Sequence, residues 1–226
     1  MATKRNNQSV YKLVLTAIFI ELTAFLQLFA SSFTIGSVSF SLVLIPIVIC
    51  GILAGPVGGT LCGLTFGIIT MVGGLTGGDI FTATLMQSGL RGFITTTLIC
   101  LVKATAAGLV SALVYKGVKK FINKTFDSEY IHVLPFVTLK SKGIHSDFLA
   151  TICAAAAAPI VNTGLFILGC LTMTGILQEA FVGGGSVIYF LVVICAGVNF
   201  IVEFLINLIF APAIYQLIKA VSKGKI

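Results

Sequence analysis

Long apolar runs recur along almost the whole chain, and they restrict its fold more than any other feature of the sequence. A helix of about 20 apolar residues is long enough to cross the hydrocarbon core of a bilayer, roughly 30 Å thick. Inside lipid, a helix also satisfies its own backbone polar groups. The runs therefore predict an all-α, polytopic integral membrane protein. We place six transmembrane helices at about 11–30, 41–55, 57–73, 91–116, 148–174 and 187–217.

The composition agrees with lipid as the solvent of this chain. Of its 226 residues, 58% are hydrophobic and 9% are charged, and the mean hydropathy is +1.12. Soluble domains are about one quarter charged, so a soluble protein is excluded. The first run, from Leu13 to Ala30, is too long for the core of a signal peptide and lacks a small-residue cleavage pattern. We interpret it as a retained span, and residues 1–226 as a single transmembrane domain.

The distribution of basic residues predicts the orientation of the chain. Lys and Arg residues precede the first span, recur in the polar loop 117–147 and end the chain. Because Lys and Arg are enriched in cytoplasmic segments, the pattern favours six crossings with both termini in the cytoplasm. A five-span alternative would place the two basic ends on opposite sides. The net charge of +7 then reflects membrane topology, and no nucleic acid is predicted as a partner.

Three segments are predicted to form the outer loops, at 31–40, 74–90 and 175–186. They are uncharged or mildly acidic, rich in Gly, Ser and Thr, and still partly apolar. Two interpretations stay open. These segments either fold back as a lid or serve as plain flexible connectors.

A glycine recurs every four residues through the second and third predicted spans. The series is Gly51, Gly55, Gly59, Gly63 and Gly67. Small residues four apart share one helix face and let a neighbouring backbone approach closely. The break at Pro56 divides the series into two short faces. The pattern predicts either tight packing within the protein or a moving interface with another protein.

Ionisable residues inside the spans are the first candidates for function. A charge within a bilayer is costly unless it is paired or hydrated. The candidates are Glu21 in the first span, Arg91 and Lys103 in the fourth, and Glu203 in the sixth.

Span six carries a polar stripe, in which Asn199, Glu203 and Asn207 lie four residues apart on one helix face. Such a stripe must face protein or water. At about 1.5 Å per residue, Asn199 and Asn162 of span five fall near the bilayer midplane. Two interpretations stay open here as well: a ligand site, or structural contacts in which Glu203 pairs with Lys103 and the asparagines join helices.

Motifs of common enzymes and metal sites are absent from the sequence. It contains no GxxxxGK[ST] phosphate loop, no HExxH and no GxSxG, which are typical of ATPases, zinc proteases and serine hydrolases. The six cysteines lie in apolar runs without CxxC spacing, and the two histidines share one polar loop. This arrangement is typical of buried thiols rather than of a metal centre. We predict no enzymatic activity, no cofactor and no metal.

Several stretches, taken in order, resemble one known family over nearly the whole chain. They are KLVLTAIF, SLVLIPIVICGILAGPVGG with GLTFG, GLRGF at the start of span four, AAAAAPIVNTGLFILG and NFIVEFLIN. Together they are similar to the substrate-binding S components of energy-coupling factor (ECF) vitamin transporters. The stretches IPIVICGILAGPVGG and APIVNTGLF look most like the subgroup that includes pantothenate carriers.

The resemblance implies a six-helix subunit in the plasma membrane of a prokaryote, which captures a vitamin or related small nutrient from outside. Such a subunit has no motor of its own. It docks on a transmembrane T subunit that is driven by two cytoplasmic ATPase subunits. Its ligand pocket would lie in the outer half of the membrane, between spans four, five and six.

The resemblance also implies roles for individual residues. Arg91 stands where the subgroup has an arginine entering span four, Asn162 where it has the Asn of a Pro-x-x-Asn-Thr stretch, and Glu203 at the acidic position of the last span. We expect Arg91 to bind a substrate carboxylate. We expect Asn162 and Asn199 to hydrogen-bond amide or hydroxyl groups of the substrate.

The predicted docking surface departs from the family pattern. S components commonly dock through an AxxxA face on the first span, whereas here Ala17 is followed four residues later by Glu21. A carboxylate on that face is costly to bury unless the partner supplies a cation. The alternative is a rotated face on which Thr16 and Ala24 make contact.

A stand-alone proton- or ion-coupled secondary transporter is the alternative function. It would use Glu21 or Glu203 as its proton site. Inverted repeats often mark such carriers, and the two halves of this sequence show no convincing correspondence.

Overall fold

The computed structural model describes residues 2–30, 34–35, 38–39, 42–125, 130–134, 137–140 and 144–223. The helices are α1 (Ala2–Ala30), α2 (Leu44–Leu53), α3 (Pro56–Leu75), α4 (Ile80–Gln87), α5 (Leu90–Thr125), α6 (Ile144–Leu171), α7 (Thr174–Leu177), α8 (Val187–Tyr189) and α9 (Gly197–Lys223). Two π-helical turns, Gln178–Val182 and Phe190–Cys195, follow α7 and α8. Two short antiparallel hairpins pair β1 (Thr34–Ile35) with β2 (Val38–Ser39) and β3 (Tyr130–Leu134) with β4 (Val137–Lys140).

Five helical segments are long and apolar enough to cross a membrane. They are Gln8–Phe29, Pro56–Leu75, Leu90–Lys124, Ser146–Leu171 and Val187–Val221. These segments correspond to the first, third, fourth, fifth and sixth predicted spans. The prediction of a helical, multi-pass membrane protein is therefore confirmed.

The second predicted span, 41–55, is shorter than the sequence suggested. The helix α2 has 10 residues, about 15 Å of helix, whereas the hydrocarbon core is roughly 30 Å thick. Its side chains are buried, with Leu44, Ile47 and Val48 all at 0% exposure. It packs against α1, α3, α5, α6 and α9. The apolar run of α2 thus fills the centre of the bundle, and the structure shows five spans of membrane length.

The long helices present large apolar side chains to the outside of the bundle. Leu13, Phe25, Leu168 and Ile209 are 62–72% exposed. Monomeric soluble proteins rarely expose such continuous apolar surface. Lipid contact explains it, because apolar side chains are the favourable surface in a bilayer.

Glycines of α3 pack directly on the backbone of α5. A Cβ built on Gly59 would lie 2.5 Å from the carbonyl oxygen of Gly108, and one on Gly67 would lie 2.7 Å from that of Cys100. Gly63 is equally tight against the backbone of Ala104. Later residues of α3 therefore contact earlier residues of α5, so the two helices are antiparallel. Of the two interpretations of the glycine series, the structure shows tight internal packing.

The helices α1 and α3 run parallel. The Thr16 hydroxyl lies 3.1 Å from the position of a Cβ on Gly58, and farther along both helices Gln27 Nε2 donates to Thr70 Oγ1 at 3.5 Å. The contacts therefore advance in the same direction on both helices. The short helix α2, which lies between them in the chain, runs in the opposite direction. Its Ile47 lies against Gly108 and its Gly51 against Ala112, so α2 is parallel to α5 and antiparallel to α3.

The helices α5 and α6 are antiparallel, and contacts at their two ends define the two ends of the bundle. At one end Tyr115 Oη donates to Asp147 Oδ1 at 2.9 Å, and Lys119 Nζ lies 2.5 Å from the same oxygen. We call this the lysine-rich end, because the last turns of α5 contain Lys116, Lys119, Lys120 and Lys124. At the other end, the rim, Arg91 lies beside Thr172.

The predicted loops contain more regular structure than expected. In segment 74–90, Asp79 caps α4 by accepting hydrogen bonds from the backbone N–H groups of Phe81 at 3.1 Å and Thr82 at 3.4 Å. Segment 175–186 contains most of α7 and a π-helical turn. Residues 31–33, 36–37 and 40 of the first predicted outer loop, and 126–129, 135–136 and 141–143 of the long polar loop, lie outside the described residues.

Candidate functional site

The polar stripe of α9 faces the interior of the bundle. Glu203 is 2% exposed and Asn207 is 0% exposed, while Asn199 is half-buried. The side chains are joined along the stripe: Asn199 Nδ2 donates to Glu203 Oε1 at 3.4 Å, and Asn207 Nδ2 donates to the Glu203 carbonyl oxygen at 2.8 Å. These bonds set the orientation of both amides, because each uses its nitrogen within the helix.

Asn162 of α6 lies at the same height as this stripe. Near the lysine-rich end the rings of Phe148 in α6 and Tyr215 in α9 are 5.4 Å apart. The same number of residues separates Phe148 from Asn162 and Ile201 from Tyr215, about 21 Å of helix in each case. The two helices pack side by side, and they run in opposite directions, because Ala150 near the start of α6 clusters with Ile214 of α9, whereas Cys170 near its end clusters with Leu191, which precedes α9. Asn162 is therefore level with Ile201, between Asn199 and Glu203. Asn162 is 5% exposed.

Lys103 of α5 reaches the same level from a third helix. Its ammonium lies 5.0 Å from the centre of the Phe166 ring, within the range of a cation–π interaction, and Phe166 is one helical turn from Asn162. The Lys103 ammonium also interacts electrostatically with the Glu203 carboxyl group. The two groups nevertheless form no salt bridge in the described part of the chain, in contrast to Lys119 and Asp147. The structure therefore does not contain the direct Glu203–Lys103 pair that was one interpretation of the sequence.

Four buried oxygens of α6 and α9 have no hydrogen-bond donor among the described residues. They are Asn162 Oδ1, Asn199 Oδ1, Glu203 Oε2 and Asn207 Oδ1. A buried polar atom without a partner costs about 1–3 kcal/mol. Such an oxygen can accept a hydrogen bond from a donor on another molecule, and Asn162 and Asn199 place two of them at one level on neighbouring helices. We refer to Lys103, Asn162, Asn199 and Glu203 as the polar cluster.

Aromatic rings lie between the polar cluster and the rim. The ring of Phe81 is 5.7 Å from Phe166, 5.0 Å from Phe181 and 6.4 Å from Phe190, and Phe181 and Phe190 stack at 5.7 Å. These rings come from α4, α6 and the two π-helical turns. Single π-helical turns occur frequently at functional sites. The four phenylalanines form an apolar wall on the rim side of the polar cluster.

Arg91 lies apart from the polar cluster. It is exposed, and its Nη2 donates to the backbone carbonyl oxygen of Thr172 at 3.3 Å. Along α5, Arg91 is about 18 Å from Lys103. The structure therefore brings Asn162, Asn199 and Glu203 to one level and leaves Arg91 at the rim.

The predicted docking residues lie on the outward face of α1. Ala17 and Glu21 are exposed and Ala24 is half-buried. No partner of the Glu21 carboxylate is found among the described residues, and its neighbours on this face are apolar. Thr16 is buried at 7% exposure, and its hydroxyl donates to the Lys12 carbonyl oxygen at 2.8 Å. Thr16 thus packs against Gly58 of α3 and faces away from Ala17 and Glu21. The docking face itself stays a prediction.

Sequence reasoning placed Lys103 outside the predicted site, as a structural partner of Glu203. The available signal was a lysine inside an apolar span, which marks a functional candidate by itself. The aromatic wall gave no signal, because its rings come from separate segments of the chain. Within the described ranges, no group of three His, Cys, Asp or Glu side chains is arranged to hold a metal ion.

Comparison with models of known protein families and with curated proteins found no match for this chain. Its class therefore rests on its own sequence and structure. Five long apolar helices, outward apolar side chains and an inward polar stripe identify a helical, multi-pass membrane protein.

Proposed function

We propose that this chain is the substrate-binding membrane subunit of an ECF-type ABC importer. It would capture a small water-soluble vitamin or related nutrient, with pantothenate as the first candidate, for ATP-driven uptake. The observation that carries the proposal is the polar cluster: a lysine and three buried oxygens that have no hydrogen-bond donor among the described residues, at one level of a largely apolar bundle. Buried acceptors without donors destabilise a purely structural bundle, whereas a binding subunit uses such groups to hold its ligand.

The division of labour in such an importer explains what the sequence lacks. The chain has no phosphate loop, so this subunit is proposed to be no enzyme and to depend on partners for energy. The proposed partners are a transmembrane T subunit and two cytoplasmic ATPase subunits. The proposed location is the plasma membrane of a prokaryote.

We propose six crossings with both termini in the cytoplasm. The directions of the helices support this topology: α1 and α3 are parallel, α2 runs between them in the opposite direction, and α3, α5, α6 and α9 alternate. The first and last helices then begin and end at the lysine-rich end of the bundle. The enrichment of Lys and Arg in cytoplasmic segments favours this end as the cytoplasmic one.

The outward face of α1 is proposed to dock on the T subunit. Ala17 and Ala24 offer small side chains for close approach. Glu21 is exposed on this face, and in lipid its carboxylate would carry a large cost. A cation or hydrogen-bond donor from the partner helix would remove that cost on assembly.

Ligand binding by the isolated subunit tests the proposal. The full chain, purified in detergent, is dialysed to equilibrium against a panel of radiolabelled B vitamins that includes pantothenate and biotin. We expect one member to bind tightly, and uptake into cells to require co-expression of the T subunit and both ATPases. Absence of binding across the whole panel would refute the proposal.

A stand-alone ion-coupled carrier is the second candidate, and the burial of Glu203 favours it. A carboxyl group at 2% exposure within a membrane bundle is a typical proton-coupling site. Liposomes that contain this chain alone, loaded with a proton or sodium gradient, distinguish the candidates. Gradient-driven uptake without ATPases would replace the first proposal with the second.

A further inference from the structure

The buried atoms of the polar cluster that lack partners share one chemical property. Asn162 Oδ1, Asn199 Oδ1 and Glu203 Oε2 are all oxygens, so each can accept a hydrogen bond. For Asn199 this orientation is fixed, because its nitrogen already donates to Glu203 Oε1. A ligand that meets these oxygens therefore supplies hydrogen-bond donors such as hydroxyl or amide N–H groups.

Lys103, in contrast, needs a hydrogen-bond acceptor from the ligand. Its ammonium rests over the Phe166 ring and forms no salt bridge among the described residues. An ammonium has donors only, and in an apolar bundle it gains most from an anionic partner. The same positive charge, which acts electrostatically on Glu203, repels a metal cation from these oxygens. A bare sodium or magnesium ion is therefore a poor occupant.

We infer that the polar cluster binds a small carboxylic acid that also carries hydroxyl or amide N–H donors, with Lys103 selecting the carboxylate. This inference rests on the proposed function and makes it more specific. The donors of the ligand meet the oxygens of Asn162, Asn199 and Glu203. The carboxylate meets the Lys103 ammonium, with the Phe166 ring as an apolar wall beside it.

Acids paired with their own alcohols test the inference without any mutation. Pantothenate and biotin each carry a carboxylate and hydrogen-bond donors, and panthenol and biotinol replace that carboxylate with a neutral alcohol. We expect one of the two acids to bind to the detergent-purified full chain, and its alcohol to bind at least about tenfold more weakly. Nicotinate, an acid without hydroxyl or amide donors, and thiamine, a cation, are expected not to bind.

Variants on α5 then locate the selection. Lys103→Met keeps the length of the side chain and removes its charge, and Lys116→Met makes the same change at an exposed position near the lysine-rich end. We expect Lys103→Met to weaken binding of the acid about tenfold and to leave the alcohol within about twofold. Lys116→Met should change neither. Asn162→Leu should weaken acid and alcohol by the same factor, because it removes an acceptor that meets the donor part common to both.

The outcomes separate the inference from the proposed function. Tight binding of thiamine, riboflavin or nicotinate with no binding of the two acids would overturn the inference and leave the proposed function standing. Equal affinities for acid and alcohol, or an equal effect of Lys103→Met on both, would also overturn it. If no vitamin binds, the proposed function falls and the inference falls with it. If Lys103→Met fails to fold, the acid–alcohol comparison on the unmodified protein decides alone.

Discussion

Replacement of Gly59 by alanine tests the contact between α3 and α5 most directly. A Cβ at this position would lie 2.5 Å from the carbonyl oxygen of Gly108 in α5 and 2.9 Å from the Cα of Gly51 in α2. Both atoms belong to helix backbones, so no side chain can rotate to make room. The methyl group therefore forces three helices apart at the centre of the bundle.

The expected magnitude combines two opposing effects. Alanine favours the helix over glycine by about 1 kcal/mol, whereas overpacking costs typically 1–3 kcal/mol. Because Gly59 meets backbone on two sides, we take the upper end of that range, which leaves a net destabilisation of about 2 kcal/mol. At roughly 2–4 °C per kcal/mol for a chain of this size, Tm should fall by about 4–8 °C.

The matched control lies on the same helix. No atom lies within 4 Å of a Cβ built on Gly73, so Gly73→Ala should gain helix propensity without a clash and leave Tm unchanged or higher. Thermal unfolding in detergent can be followed with a thiol-reactive fluorescent dye, because Cys50, Cys62 and Cys100 are free and buried and react on unfolding. A Tm of Gly59→Ala equal to or above that of Gly73→Ala would refute the packing argument.

Four further outcomes are expected. Glu21→Gln should leave vitamin binding by the isolated chain unchanged and reduce ATP-driven uptake in the assembled transporter, because Glu21 lies on the outward face of α1; normal uptake would remove Glu21 from the docking surface. Arg91→Ala, which the sequence alone predicted to weaken a carboxylate ligand at least about tenfold, or 1.4 kcal/mol, should leave its affinity within about twofold, because Arg91 lies at the rim beside Thr172, about 18 Å from Lys103; a tenfold loss in equilibrium dialysis would mean that the carboxylate contacts Arg91 rather than Lys103. Asp147→Asn should lower the free energy of unfolding by no more than about 1 kcal/mol, because the Asp147 and Lys119 side chains are 30% and 41% exposed. A larger loss in thermal unfolding would mean that this ion pair is a main source of the stability of the α5–α6 contact. Green fluorescent protein fused to either terminus should fluoresce and alkaline phosphatase fused to either should be inactive; phosphatase activity at one end would contradict six crossings.

The positions of the long helices were predictable, but their surroundings were not. Hydropathy measures transfer out of water, and lipid and protein interior are similarly apolar, so the run at 41–55 looked like any other span. Only the packed structure shows that α2 is short and enclosed by five other helices. The same ambiguity applied to the glycine series, because close approach to a neighbour does not reveal whether that neighbour belongs to the same chain.

The candidate site was predictable where one helix carried the pattern. Asn199, Glu203 and Asn207 recur with the period of one helix face, and a polar face inside a membrane has to be turned inward, as the structure has it. The partners from other helices were harder to predict. Whether Lys103 contacts Glu203 or Phe166 depends on how α5 is rotated and how far its side chain reaches, and both are set by packing on α6.

The sequence by itself determined that lipid surrounds this protein, where its five long apolar helices lie and which face of the last helix is polar, because each follows from the local order of apolar and polar residues. The tertiary structure alone decided that α2 fills the core, that Thr16 is turned inward while Glu21 is turned outward, and that Arg91 stays about 18 Å from Lys103. It also assembled the aromatic wall from four segments that are distant in sequence. These features depend on contacts between helices, and such contacts leave no periodic signal within any one of them.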